Sequence, residues 1–425
     1  MLQKIEKVIA ARIIGTIFEH KTYIVGGYVR DQLMGKNSED MDIVVELKNG
    51  GIKLANFLFE HGISTSPVVF DKFGTSQIEI KDHKIELVMT RKEFYRTKNR
   101  KPIVQFADLK EDVYRRDFTI NSLLKDIVSG EIIDLTQKGV SDINNKIIRT
   151  THDSDSIFKD DPLRMLRAIR FSIQLAFEIE KETYVSIQKN AEELEHISQE
   201  RKRDELIKIL INDKPETGIK LLIESDLMEY IIPELSKLCQ DRSSDGLLHT
   251  FKMLSNVNDD IILRLASLLV DIKKTAKIVL KRLKIPNKII KTIVLLLDNL
   301  DVFEQYSAEL KYLDRKTIIR YILDYNDNLE YLLQFIHAHN LSQSKNSKLE
   351  HQIPMLQKRI EKIENKYKIN MLPINGNDII LHYGIKEGKK VGKLLRDAKE
   401  IWLEHPDWDK DKILRNLTLR RQHER

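Results

Sequence analysis

A chain of 425 residues is too long for one ordinary hydrophobic core, so two to four domains are expected. Hydrophobic residues make up 41% and charged residues 32%, which excludes a disordered chain, and the net charge of +6 permits a phosphate-rich partner without requiring one. Cys239 is the single cysteine, so an intramolecular disulfide and a cysteine-based zinc site are both excluded.

The opening stretch, MLQKIEKVIAARIIG, has charges spaced through it and lacks the apolar centre of a secretion signal. The longest apolar runs, such as IVLLL at 293–297, are too short to span a bilayer. A cytoplasmic location with no membrane partner is expected. Residues 2–18 set Leu2, Ile5, Val8, Ile9, Ile13 and Ile17 on one helical stripe. From Thr22 to about residue 150, short β-branched runs alternate with turns: YIV, MDIVVEL, SPVVF, SQIEI, KIELVM and EIIDL. One helical pattern, roughly 28–34, separates the first two and stops at Gly35. After residue 155 the strands are expected to disappear, and helical periodicity runs to the end, punctuated at Pro215, Pro233, Pro286 and Pro373. The pattern predicts an α+β fold, a small β-sheet head followed by all-α pieces.

Chemistry concentrates in the head. Residues i and i+2 of a strand share a face, so Asp40 and Asp42 project together while Met41 and Ile43 turn to the core. Two carboxylates held that close repel unless a cation lies between them, and oxygen ligands suit Mg²⁺ bound with substrate phosphates. The tripeptide alone fits a solvated polar turn as well. Gly26 and Gly27, between a strand and a short helix, let backbone N–H groups approach a triphosphate, and Arg30 one turn on can add a guanidinium. Glu86, in KIELVMTR, can supply a third carboxylate or simply face solvent.

Four segments in order, YIVGGYVRDQLMG…DMDIVV, YRRDFTINSLL, DDPLRMLRAIRFSIQLAF and SQERKRDELIKIL, resemble the successive signature motifs of the class II tRNA nucleotidyltransferase and bacterial poly(A) polymerase family. The resemblance covers residues 20 to about 215. It implies a nucleotidyltransferase (polymerase β-like) head over 1–150, a helical neck over 151–215, a body over 216–330 and a tail over 331–425. Carried over, Asp40 and Asp42 hold Mg²⁺, and Gly27 with Arg30 holds the triphosphate. Arg116, Asp117 and Asn121 line its ribose and phosphate side, where an ordinary Arg–Asp surface pair is the competing reading. Asp161 and Arg164 read the base. Three apart on a helix, they share a face, and an aspartate with an arginine matches the amino donor and ring-nitrogen acceptor common to cytosine and adenine. Asp161 can equally cap the helix that Pro162 begins. Arg167 and Arg170 continue the spacing toward the nucleotide phosphates, or form a solvated basic face. Arg201 and Glu205 can pair along their own helix, and the resemblance makes that helix a brace for the base-reading one. Asp160 stands where the family usually has glutamate, which touches only the positioning of the pocket.

Further on, DGLLHTFKMLSNV and LRLASLLVDIKK resemble the remains of an HD-type phosphohydrolase domain, but Val270 replaces the histidine before Asp271. A helical body without hydrolase activity is expected, with His249 a packed or surface residue. LPINGNDIILHYGIKEGKKVGKLLRDAKEIW resembles the family's tail, where Gly376, Gly384, Gly388 and Gly392 suit turns beside an RNA backbone or plain helix punctuation. The activity implied is CCA addition to tRNA from CTP and ATP, with the acceptor arm and 3′ end of tRNA as partner. Rivals are a poly(A) polymerase, whose basic aromatic stretch VVFDKFGTSQIEI lacks, a CC-only or A-only enzyme, and a non-catalytic RNA-binding protein. The long charged segment RKEFYRTKNRKPIVQFADLKED suits a flexible loop for switching from C to A, which argues against CC-only addition.

Overall fold

The computed structural model describes residues 1–38, 40–94, 103–240, 246–306, 313–343, 347–367 and 372–423. The chain divides into two compact units, residues 1–240 and 241–425.

The first unit opens with α1 (Leu2–Ile13), which buries Leu2, Ile5, Ile9 and Ile13. The expected stripe ran on to Ile17, but the helix ends at Ile13 and the chain turns at Gly15, leaving Val8 and Ile17 exposed. Then follow β1 (Thr22–Val25), α2 (Gly27–Leu33), β2 (Met41–Val45), α3 (Gly50–Glu60), β3 (Val68–Phe70), β4 (Thr75–Ile80) and β5 (His83–Met89). After them come β6 (Arg91–Phe94), β7 (Ile103–Phe106), α4 (Leu109–Tyr114), β8 (Leu124–Asp126), β9 (Ile132–Ile133), α5 (Gly139–Asn145) and β10 (Ile147–Ile148).

Seven strands make one sheet in the order β3-β4-β5-β2-β1-β8-β9. Within it β2 and β5 run parallel and the other neighbours antiparallel. One face buries Ile43, Ile85 and Leu87 against α3, so closely that a Cβ on Gly51 would meet the Leu87 carbonyl oxygen at 2.3 Å. The opposite face buries Tyr23, Val25, Val44 and Leu124 with Val113 of α4. On that same face, one alternation along β2 and β5, Asp42 and Glu86 stand side by side, with Gln77 of β4 next in the row.

The segment read as a charged loop opens instead as an antiparallel pair, Arg91 opposite Phe106 and Phe94 opposite Ile103. The middle of the expected switching loop, residues 95–102, lies outside the described residues. Strands also persist past residue 155, since β11 (Glu178–Ile179) pairs in parallel with β10. The helices of this half are α6 (Ser154–Asp160), α7 (Leu163–Leu175), α8 (Lys181–Lys189), α9 (Gln199–Leu210), α10 (Pro215–Glu224) and α11 (Pro233–Gln240). Helix α7 buries Leu166, Ile169 and Phe171 among others and packs on α9 and α10.

The second unit contains α12 (Gly246–Ser255), α13 (Ile261–Leu269), α14 (Lys273–Arg282), α15 (Asn287–Tyr306) and α16 (Arg315–Tyr325). It ends with α17 (Leu329–Ser342), α18 (Ser347–Tyr367), α19 (Gly376–Tyr383), α20 (Lys389–Glu404) and α21 (Lys410–His423). His249 is not isolated here. Its Nδ1 lies 2.7 Å from Asp271 Oδ1 and its Nε2 lies 3.0 Å from Nδ1 of His339 on α17. Thr250 also donates to Asp271 Oδ2 at 2.6 Å, so the motif remnant ties three helical segments together. Arg320 and Lys316 of α16 pair with Glu400 of α20, in the tail, at 2.8 and 3.2 Å. Gly384 takes a left-handed conformation just past α19, while Gly376 and Gly392 lie within helices.

Candidate active site

The first unit holds a polar cleft of about 820 Å³ between the ends of the central strands β1 and β2 and helix α7. Gly26, Gly27, Arg30, Asp40, Asp42, Arg116, Asp117, Asn121, Asp161, Arg164, Arg167 and Arg170 all line it. Glu86 does not. It lines a separate pocket with Phe70, Phe73, Thr75, Gln77 and Arg91.

Gly26 has φ of +79°, a region that L side chains rarely adopt, and a Cβ there would stand 4.0 Å from Asp42 Oδ2. The glycine therefore lets the chain turn sharply from β1 into α2 beside the carboxylates. Arg30, on α2, is buried. It donates to Asn121 Oδ1 at 2.8 Å and, through Nε and Nη2, to Asp31 Oδ1 at 2.8 and 2.7 Å.

Asp117 is buried too, and the surface-pair reading fails. Burial alone would raise its carboxyl, but the Arg167 guanidinium holds it below the usual range, with Arg167 Nε donating to Oδ2 at 2.7 Å. Arg116 pairs instead with Asp112, at 2.8 Å, and Arg115 grips the other oxygen of that carboxylate, also at 2.8 Å. Asp112 has no exposed surface, and despite that burial the two guanidiniums bring its pKa down to about 2.

Of the two roles expected of Asp161, the capping contact is formed, and its second oxygen meets a partner from α9. Its Oδ1 accepts from the Leu163 N–H at 3.3 Å, capping α7, while Oδ2 accepts from Arg201 Nη2 at 2.8 Å. Arg164 donates to the carbonyls of Arg115 and Ile157 at 2.7 and 3.3 Å, which aims the helix's first arginine across the cleft. The expected Arg201–Glu205 pair is not formed. Each residue reaches from α9 to the cleft's helical wall instead, and Glu205 pairs with Arg170 at 2.8 Å. Asp160 is exposed at the end of α6.

Sequence reasoning missed Asp112, Arg115 and Phe171. The first two were legible as i, i+3 and i, i+4 partners on α4 and its C-terminal turn. Phe171 read as an ordinary core aromatic. Its ring has the guanidiniums of Arg170, Arg167 and Arg30 at 4.3, 5.3 and 5.5 Å from its centroid.

Asp40 and Asp42 suit a divalent cation. Burial first, then the neighbouring Glu86 and Asp40, push the Asp42 carboxyl up to about 6 against the opposing pull of Arg116. A carboxylate so short of positive charge is one that a cation would stabilise. Among the described residues no three His, Cys, Asp or Glu side chains converge as ligands, so a bound cation would complete its shell with phosphate oxygens and water.

Two family models match the chain: one described as "Poly A polymerase head domain" over residues 22–149, the other as "Probable RNA and SrmB- binding site of polymerase A" over 176–239. A CCA-adding enzyme of Ligilactobacillus salivarius is 30% identical over 407 residues, covering 93% of this chain and 92% of the relative. The chain belongs to the CCA-adding enzyme family. Another member, from Bacillus pumilus, is 37% identical over 241 residues, 56% of this chain and 57% of that one. The Bacillus stearothermophilus CCA-adding enzyme, solved in complex with CTP, shares the fold with a TM-score of 0.76 and 22% identity, over 100% of this chain and 98% of its own. Among the described residues no helix is long and apolar enough to cross a membrane.

Proposed function

We propose that this nucleotidyltransferase completes the CCA end of tRNA, transferring CMP and then AMP from CTP and ATP. The supporting observation is that one cleft carries a carboxylate pair at one side and the Asp161–Arg164 pair on the helical wall, with a cluster of arginines between. The first pair suits the reacting phosphate, the second the base edge, and the arginines a polyanion.

In the reaction, the tRNA 3′-hydroxyl oxygen bonds to the α-phosphorus of the nucleotide. The bond from that phosphorus to the β-phosphate oxygen breaks with its electron pair, and pyrophosphate leaves. Glu86, in register with Asp42, takes the hydroxyl's proton in this reading. Mg²⁺ held by Asp40 and Asp42 would supply a Lewis acid at the phosphates. Arg30, fixed by Asp31 and Asn121, and Arg167 and Arg170, gathered on Phe171, bind the triphosphate without rearranging. Asn121, Asp117 and Glu205 hold Arg30, Arg167 and Arg170 in place. Asp161 accepts from the amino group of cytosine or adenine while Arg164 donates to the ring nitrogen, so guanine and uracil, with the reverse pattern, are refused.

The division of labour we assign is a catalytic head over 1–150, a base-reading neck over 151–215, a body over 216–330 and an RNA-gripping tail over 331–425. The compartment we assign is the cytoplasm, with tRNA as substrate.

The test uses tRNAs ending before CCA, after C and after CC, each given CTP, ATP or both, with products resolved to single nucleotides. Addition of C, C and A that then stops is expected. Long adenosine tails would reassign the chain to poly(A) synthesis, a stop at CC or a start only from CC would mark a partial enzyme, and no extension would remove the catalytic reading.

A further inference from the structure

Glu86 belongs to a pocket of its own. A polar row crosses three adjacent strands of the sheet, Asp42 on β2, Glu86 on β5 and Gln77 on β4, all on one face. Beyond Gln77 the row reaches the edge strand β3, where Phe70 is 46% exposed and Phe73, just past it, 42%. These two rings, with Gln77, Glu86 and Arg91, enclose a cavity of about 370 Å³, separate from the nucleotide cleft. That volume falls in the range of sites that hold a small ligand group, roughly 300–1,000 Å³. Arg91 is tied to both sites: its Nη1 donates to Thr75 Oγ1 at 3.3 Å, and its carbonyl accepts from Nε of the cleft residue Arg115 at 2.8 Å.

We propose that this pocket receives the 3′-terminal nucleotide of the RNA acceptor, its base stacked on Phe70 and Phe73. The inference rests on the function proposed above and locates its second substrate. The chemistry matches part by part. Exposed aromatic rings stack nucleobases whatever their identity, which an acceptor ending in different residues at successive additions requires. Arg91 offers a guanidinium for the backbone phosphate. The Glu86 carboxylate accepts from a ribose hydroxyl, and the register carries that hydroxyl toward Asp42, which lines the nucleotide cleft. A protein partner would find little here, because β3 offers only three residues of edge and the row behind it is charged and polar. Phe70 and Phe73 are thus positioning residues for the acceptor. They leave nucleotide binding to the cleft.

The test is an RNA stem-loop whose 3′-terminal residue is 2-aminopurine, titrated with the full-length protein in calcium and without nucleotide, alongside steady-state extension of the unmodified stem-loop with CTP. Wild type is compared with the double variant Phe70→Ala/Phe73→Ala and the conservative pair Phe70→Tyr/Phe73→Tyr. Stacking quenches the fluorophore, so quenching is expected with wild type and the tyrosine pair and lost with the alanine pair. The alanine pair should raise the acceptor KM by about 5- to 100-fold. KM for CTP and kcat should stay within about twofold of wild type. Equal quenching by the alanine pair, or an acceptor KM that does not move, would overturn the pocket assignment while leaving the proposed function standing. A rise in the KM for CTP together with that for the acceptor would also overturn it, pointing to a distorted sheet. If wild type extends no RNA at all, the proposed function itself falls, and this inference with it.

Discussion

Asp112 has no surface of its own, yet two cleft arginines depend on it. Its folded pKa of about 2 lies below the unfolded value of 3.8, so its ionised form stabilises the fold above the unfolded pKa. That contribution, about 2 kcal/mol, is lost as pH falls from near 5 toward 2. Asp112→Asn should therefore lower unfolding free energy at pH 7. The gap to wild type in urea melts should shrink by about half between pH 5 and pH 3; an undiminished gap would rule out the charge pairing as its source. The carboxylate pair gives a second expectation. Adding Mg²⁺ should raise the melting temperature of wild type and leave those of Asp40→Asn and Asp42→Asn almost unmoved, while Asp42→Asn alone should melt higher than wild type in chelator at neutral pH. Its ionised carboxyl is disfavoured by burial and by Glu86, and asparagine removes that cost. A metal response retained in both variants would displace the cation from this pair. At this scale the sequence spoke clearly where two residues lie close along the chain, as Asp40 with Asp42 or Asp161 with Arg164, although Asp161 stands extended just before α7 and does not share a helix face with Arg164. It was silent where partners are distant, as with Arg167 and Asp117, fifty positions apart.

Helix α3 packs behind β2 and β5, and at Gly51 no Cβ fits against the Leu87 carbonyl of β5. Gly51→Ala must push the helix off β5. A loss of about 1–3 kcal/mol or more is expected, read as a lowered midpoint in denaturant melts with unchanged slope. No measurable loss would mean that the helix slides freely. Elements with a clear signal were legible: β4 and β5 alternate, β1 and β2 read as short β-branched runs, and α2 stops beside Gly35. The pair β6 and β7 was not, because Arg91, Lys92 and Glu93 hide any apolar alternation and its partner follows only after residues 95–102. Two-residue strands such as β10 and β11 carry no period at all. Helix α7 was found, but which of its arginines would gather on Phe171 depended on packing against α9 and the head, which no spacing rule encodes.

For the whole chain, the excess of basic over acidic residues, 71 against 65, comes entirely from residues 241–425. The proposed grip on tRNA through phosphate contacts should be salt-sensitive, so acceptor affinity should fall about tenfold or more between 50 and 200 mM salt. A flat response in gel-shift or anisotropy titrations would remove backbone contacts as the main source of affinity. The helical remainder was legible as helices, yet its internal ties were not. His249 and Asp271 stand close enough in sequence to be paired by eye, whereas His339 joins them from ninety positions beyond His249.

Three guanidiniums around one phenylalanine have a thermodynamic consequence for turnover. A free arginine side chain loses up to about 2 kcal/mol of rotamer entropy when immobilised. Arg30, Arg167 and Arg170 are already confined by Phe171 and their carboxylate or amide partners. The ordering is therefore incurred once, when the chain folds, and is not repeated at each nucleotide. An enzyme that binds a fresh triphosphate for every residue it adds meets the same rigid receptor each time, and successive binding events begin from the same entropic baseline.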